Sequence, residues 1–149
     1  MTKPSEMNSK WQEENKDVEF EMQDTYLYDD FAEVRELVKM LKADEVHRIR
    51  FMKLKSGDGE LDRHTDLVDT DSGVGDGKLM RIHFPIITND KVLFESWDLT
   101  GHKQCVNMGI NEAWLLDTRK PHRAVNNGDE DRVHLVIDIV SNPNTRTLL

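Results

Sequence analysis

The sequence predicts a mainly β domain with one helix packed outside the strands. Two observations carry this reading. Between His47 and Val140 the chain breaks into eight short runs in which apolar and polar residues alternate, separated by turn signals such as Gly57-Asp58-Gly59 and Thr88-Asn89-Asp90. Only one stretch ahead of them, FAEVRELVKMLKA, has helical spacing. Eight short strands at such intervals are the pattern of a sandwich, barrel or jelly roll.

Taken in order, residues 1–24 read as a mobile or weakly structured arm, polar and charged, with a weak alternation at Asp17–Met22 that could form a strand. Residues 25–149 read as a single domain, since a chain of 149 residues has room for one core. Asp29-Asp30 offers an N-cap, and Phe31, Val34, Leu37, Val38 and Leu41 fall on one helical face, which predicts a helix over 30–43. The strands follow at 47–55, 60–66, 78–87, 91–97, 104–108, 112–117, 122–126 and 132–140. Trp97, Trp114 and the single cysteine, Cys105, are expected to be packing residues. Asp117, in LLDTRKPH, is placed to fix the turn before His122, and His47 and His102 have no assigned role.

The net charge of −9 gives a field that repels phosphate backbones and anionic membranes, so neither nucleic acid nor membrane is expected as a partner. The first twenty residues lack the apolar stretch of a signal peptide, and no run reaches the length of a membrane span. One cysteine allows no internal disulfide, which fits a cytoplasmic setting.

The polar residues inside the strands carry the chemistry. Residues i and i+2 of a strand share a face. His64 and Asp66 are such a pair, as are Arg81 and His83 in KLMRIHFPII, and Arg132 and His134 in RVHLVIDIV. Ionisable groups in apolar strands are costly unless they are paired or bind a metal, so three such pairs point to a shared polar interior. A His-x-Asp pair with a distant third histidine can form the facial triad of a non-haem iron(II) site, which leaves the opposite positions open. His122 is the candidate third ligand, since Pro121 before it makes a rigid turn. Taken alone, His64 and Asp66 read more readily as a surface hydrogen-bonded pair than as metal ligands. Arg132 lies ten residues after His122. In an antiparallel hairpin the two would be neighbours, and the arginine could grip the distal carboxylate of a dicarboxylate. Its other reading is a strand-end salt bridge to Asp129 or Asp131.

Four segments in order, RHTD around His64, MRIHFPI around Arg81, NEAWLLDTRKPHRAVNN around His122 and DRVHLVID around Arg132, resemble the aspartyl/asparaginyl β-hydroxylase family of Fe(II)- and 2-oxoglutarate-dependent dioxygenases. The resemblance runs from Arg48 to Ile139. It implies a double-stranded β-helix, that is, a cupin-like jelly roll. It implies iron held by His64, Asp66 and His122, and 2-oxoglutarate bound through its C5 carboxylate by Arg132. It places Arg81 and His83 in the pocket facing co-substrate and substrate.

The implied reaction is hydroxylation of an unactivated C–H bond of an amino acid, free or within a peptide, using O₂ and releasing succinate and CO₂. Animal members lack the iron carboxylate, so Asp66 makes this chain more similar to the bacterial branch that includes proline hydroxylases. The segments that define substrate in both branches have no counterpart here, so substrate identity is not implied. A cupin-type metal enzyme that does not use 2-oxoglutarate, or a non-catalytic metal-binding module, would share the histidines without needing Arg132. The glycine-rich stretch at 69–77 matches neither a phosphate loop, since no Ser or Thr follows Lys78, nor a calcium loop, since no Glu closes it. It reads as a lid, a substrate contact or a plain connection.

Overall fold

Alternation along the strands sorts side chains onto two faces, and here both faces of one sheet are covered. The computed structural model describes residues 24–66 and 78–147. The expected arm and the Asp17–Met22 strand, apart from Asp24, and the loop at 69–77 lie outside the described residues. The elements are α1 (Tyr26–Asp30), α2 (Ala32–Leu41), β1 (Val46–Leu54), β2 (Gly59–His64), β3 (Leu79–Ile87), β4 (Val92–Trp97), β5 (Lys103–Val106), β6 (Trp114–Leu116), β7 (His122–Asn126), β8 (Arg132–Val140) and α3 (Pro143–Arg146). All eight expected strands are present.

The strands form two four-stranded sheets with orders β1-β8-β3-β6 and β2-β7-β4-β5, and every pairing is antiparallel. The chain crosses between sheets at nearly every connection; only β4 and β5 are consecutive strands that pair. This is a jelly roll. The topology corrects one expectation. β7 and β8 do not form a hairpin: His122 pairs in register with His64 and Ser96, whereas Arg132 pairs with Leu54 in the other sheet. His122 and Arg132 therefore stand on opposite walls of the sandwich.

The turn from β1 to β2 shows why GDG occurs there. Gly57 and Asp58 both have positive φ, at 59° and 65°. A Cβ on Gly59 would lie 2.1 Å from the Lys55 carbonyl oxygen.

The apolar core lies between the helices and the outer face of the first sheet. Met80, Ile82, Leu135, Ile137 and Ile139 meet Val34 and Leu41 there, with Tyr28, Leu37, Val38 and Phe84 packed around them. Along β8 Leu135, Ile137 and Ile139 enter this core, while Arg132 and His134 line the space between the sheets. The helix expected over 30–43 is present as α2 but starts only after Phe31, whose backbone (φ −111°, ψ 77°) is not helical and parts it from a short α1 that the spacing does not predict. Arg35 Nη1 donates to the carbonyls of Tyr28 (2.6 Å) and Asp29 (2.7 Å) and closes the short first helix. The Phe31 ring turns instead toward Phe51, 5.3 Å between centroids. Asp29 and Asp30 thus end α1 and do not cap α2.

The outer face of the second sheet is tied by charge. Glu95 of β4 accepts from Lys103 of β5 at 2.6 Å and from Arg123 of β7, which reaches Glu60 of β2 at 3.3 Å. One ion-pair chain thus crosses all four strands. Cys105, expected to pack, is exposed, because β5 is the edge strand of this sheet. Trp97 and Trp114 are half-buried and not core. Arg63 covers the Trp97 ring at 4.3 Å, and Trp114 Nε1 donates to Glu112 at 2.7 Å. Among the described residues, no helix is long and apolar enough to cross a membrane.

Ile137 is 0% exposed at the centre of the helix–sheet core. Ile137→Ala should lower unfolding free energy by about 2–5 kcal/mol in urea titration. A loss below ~1 kcal/mol would mean that the outer face of the first sheet is not the main core.

Candidate metal centre

β2 ends at His64 and β7 begins at His122, and the two residues are register partners. Their rings stand side by side, 4.4 Å between centroids, with Phe94 stacked on His122 at 5.8 Å. Each ring is held by the carbonyl two residues before it. His64 Nδ1–H donates to Asp62 at 2.6 Å and His122 Nδ1–H to Lys120 at 2.9 Å. In a neutral imidazole this leaves a lone pair on each Nε2, the form a metal requires. His122 is pushed below its ordinary pKa of 6.5, chiefly by burial, although its bond to Lys120 and the charge of Asp66 act in the other direction.

Asp66 does not arrive by strand alternation, since β2 is irregular between Leu61 and His64 and ends there. A loop contact brings it in: its backbone N–H donates to the Thr118 carbonyl at 2.9 Å. Its Oδ1 lies 3.4 Å from His64 Nε2, and its Oδ2 accepts from Arg81. The ligand atoms of His64, Asp66 and His122 all fall within 4.8 Å of one another. Two Nε2 lone pairs and one carboxylate oxygen converging in this way fit a facial-triad metal. Asp117 shapes the approach to His122, accepting from Arg119 Nε at 2.8 Å while its carbonyl accepts from Lys120 N–H at 3.1 Å.

The three residues open onto a cavity of about 330 Å³ between the sheets, which Arg81, His83 and Arg132 also line. All six predicted site residues thus line one space, five carried by the strands and Asp66 by the loop after β2. Arg132 is 6% exposed and makes no ion pair with any described residue, and its Nε has no hydrogen-bond partner. The expected alternative, a salt bridge to Asp131, is not formed: Asp131 instead holds Lys53 and accepts from Ser56 N–H at 2.8 Å. Burial lowers the Arg132 pKa from 12.5 to about 10, which leaves it charged at neutral pH.

The aspartyl/asparaginyl β-hydroxylase family model matches residues 5–142. The chain belongs to this family. Similar solved structures include a prolyl-4-hydroxylase from Pseudomonas putida, with a TM-score of 0.53, 12% identity, and coverage of 83% of this chain and 70% of that one. Another is a non-haem monooxygenase, ThoJ, in complex with nickel, with a TM-score of 0.50, 15% identity, and coverage of 64% of this chain. The match spans 44% of the monooxygenase's own length. At these identities the likeness shows a shared fold.

Within this β-hydroxylase fold, Arg81 and His83 lead to residues the sequence reading did not assign. Arg81 grips Asp138 with two bonds, Nε to Oδ1 at 2.7 Å and Nη2 to Oδ2 at 2.9 Å, and holds Asp66 with its remaining prong. Arg48 Nε (3.1 Å) and Arg50 Nη2 (3.5 Å) also reach Asp138, which is 1% exposed. Burial raises the Asp138 pKa, but the bonds and charges of the arginines outweigh it and the net shift is downward. His83 Nδ1 lies 3.2 Å from His134 Nδ1, the rings edge to face. Alternation could have flagged these partners. Arg48 and Arg50 share one face of HRIRF, and Asp138 lies in phase with Arg132 and His134 in RVHLVID.

Both histidines of this pair are neutral at pH 7. Burial, then the Arg132 charge, lowers His134 from 6.5 to about 3. Burial, then the charges of His134 and the arginines, takes His83 well below 6.5. A histidine depressed in the folded state stabilises fully above its unfolded pKa, and that stability is lost as pH falls, because the unfolded chain takes up protons the native state refuses. The urea midpoint should therefore drop as pH is lowered from about 6.5 toward 3. His134→Phe should flatten that slope. An equally steep slope in the variant would show that this pair does not carry the pH dependence.

Proposed function

We propose that the chain is a non-haem iron(II) dioxygenase that uses 2-oxoglutarate to hydroxylate an unactivated C–H bond of an amino acid, free or within a peptide. The observation that carries this reading is Arg132. A buried guanidinium with no counter-ion among the described residues lines the same cavity as a converging His64, Asp66 and His122. An unpaired buried charge is costly, and a ligand carboxylate removes that cost. A two-ended ligand with a chelating 2-oxo acid at one end and a carboxylate at the other satisfies both features at once. A metal enzyme without such a co-substrate leaves Arg132 unexplained. The family assignment and the prolyl-hydroxylase fold point the same way.

On this reading His64, Asp66 and His122 hold the iron, and Arg132 holds the C5 carboxylate of 2-oxoglutarate. When bound, iron and 2-oxoglutarate would activate O₂, one oxygen atom turning C–H into C–OH and the other entering succinate as CO₂ is released. The protein's own share is placement. The carbonyls of Asp62 and Lys120 fix the imidazole rings. Arg81 orients Asp66, and Phe94, Met108 and Val92 give the cavity dry walls.

The test is an anaerobic titration of the Fe(II) protein with 2-oxoglutarate, following the visible charge-transfer band of the chelate. The band should saturate in the wild type. Arg132→Ala should need roughly ten- to hundredfold more 2-oxoglutarate, the loss of one charged hydrogen-bonded pair, with iron affinity unchanged. Asp66→Ala should weaken iron binding itself. An iron-loaded wild type that shows no band would overturn the reading.

A further inference from the structure

The His83–His134 pair leaves a second orphan beside Arg132. His134 is 3% exposed, and its Nε2 is buried without a hydrogen-bond partner. It stands two residues after Arg132 on β8, on the same cavity-lining face, one step nearer the rung where Asp138 meets Arg81. Two adjacent buried groups with unsatisfied nitrogens on one wall describe a prepared seat, because buried polar atoms are ordinarily bonded.

The ring contact limits what that seat can offer. With both imidazoles neutral, the 3.2 Å Nδ1–Nδ1 contact holds a single proton. If His83 donates it, His134 Nδ1 is the acceptor, and the proton of His134 resides on Nε2, which is then a donor. If His134 donates, its Nε2 is a bare lone pair. An anion held by Arg132 favours the first arrangement, since a lone pair would repel it.

We propose that His134 is a second donor to the distal carboxylate held by Arg132, through Nε2–H, with His83 as the positioning residue that sets its tautomer. The proposal rests on the co-substrate reading above. It gives the two-pronged carboxylate two different partners: a charged fork from Arg132 and a neutral N–H from His134. It also predicts selectivity, because a 2-oxo acid without a distal carboxylate gains nothing from either residue.

The test is anaerobic calorimetry on the Fe(II) protein with two ligands, 2-oxoglutarate and 2-oxovalerate, which has the same chain length and lacks the distal carboxylate. His134→Phe should weaken 2-oxoglutarate about tenfold or more, the loss of a hydrogen bond to a charged group, and leave 2-oxovalerate unchanged. His134→Gln, which keeps an N–H in a similar place, should recover most of the affinity. His83→Phe retains His134 but frees its tautomer and should weaken 2-oxoglutarate alone, by a smaller factor. This variant carries the test if His134→Phe does not fold.

Unchanged 2-oxoglutarate affinity in His134→Phe or in His83→Phe would overturn the proposal while leaving the co-substrate reading intact, as would an equal loss for both ligands. A wild type that binds neither ligand would overturn the co-substrate reading and this proposal with it.

Discussion

The inner wall of the first sheet depends on one buried carboxylate. Asp138 is closed off from water and receives bonds from arginines on two strands, Arg48 and Arg50 of β1 and Arg81 of β3. β8 lies between those strands in the sheet, so the ion cluster staples β1, β8 and β3 from the side opposite the apolar core. Burying charges is expensive, and such a cluster is stable only when every member is bonded. Leaving one partner out strands the others, at a cost of about 3–5 kcal/mol. The same cluster sets the site, because the Arg81 fork that holds Asp138 also reaches Asp66.

That arrangement explains how so short a chain spares its interior for chemistry. A small sandwich normally fills the space between its sheets with apolar side chains. Here the helix–sheet contact on the outside supplies the main apolar core, around Ile82, Ile137 and Ile139. The interior is then free to carry histidines, arginines and acids. Strand alternation does the sorting: successive residues of β8 go to the apolar core and to the cavity in turn, and the strand is buried almost throughout. The second sheet lacks a covering helix among the described residues, and its outer face is held by the Glu60–Arg123–Glu95–Lys103 chain.

The elements were legible because alternation is a local signal, and the His122–Asn126 and Arg132–Val140 strands fall where the sequence places them. What local signals miss is partnership. His122 and Arg132 are close in sequence, yet a jelly roll sends β7 and β8 to different sheets, so their meeting across a cavity, and not along a hairpin, follows only from topology. The break at Phe31 depends on Arg35 capping α1 and on a ring contact with Phe51, some twenty residues away. Cys105 looks like a packing residue in a strand until that strand proves to be an edge. The i, i+2 spacing that singles out Asp66 does not by itself place it, since a backbone bond to Thr118 sets its position. Asp138 and His134 carried a legible sign, an ionisable residue in an apolar strand, but nothing local named their partners.

The electrostatics of the cavity wall give a reason for its two kinds of nitrogen. Arg48, Arg50 and Arg81 share Asp138, whereas Arg132 makes no ion pair among the described residues. A second cation beside the buried Arg132 would add repulsion that is screened less than at the surface. A histidine there, held neutral by burial and by Arg132 itself, offers a donor without charge. At the metal end the demand is opposite. On our proposal His64 and His122 present lone pairs to the metal, and backbone carbonyls that accept hydrogen bonds from their Nδ1–H groups fix that form. The same side chain thus serves as an acceptor at one end of the cavity and, on our proposal, as a donor at the other. The difference lies in the partner of Nδ1: a carbonyl, which can only accept a hydrogen bond, or a second imidazole, which can donate one.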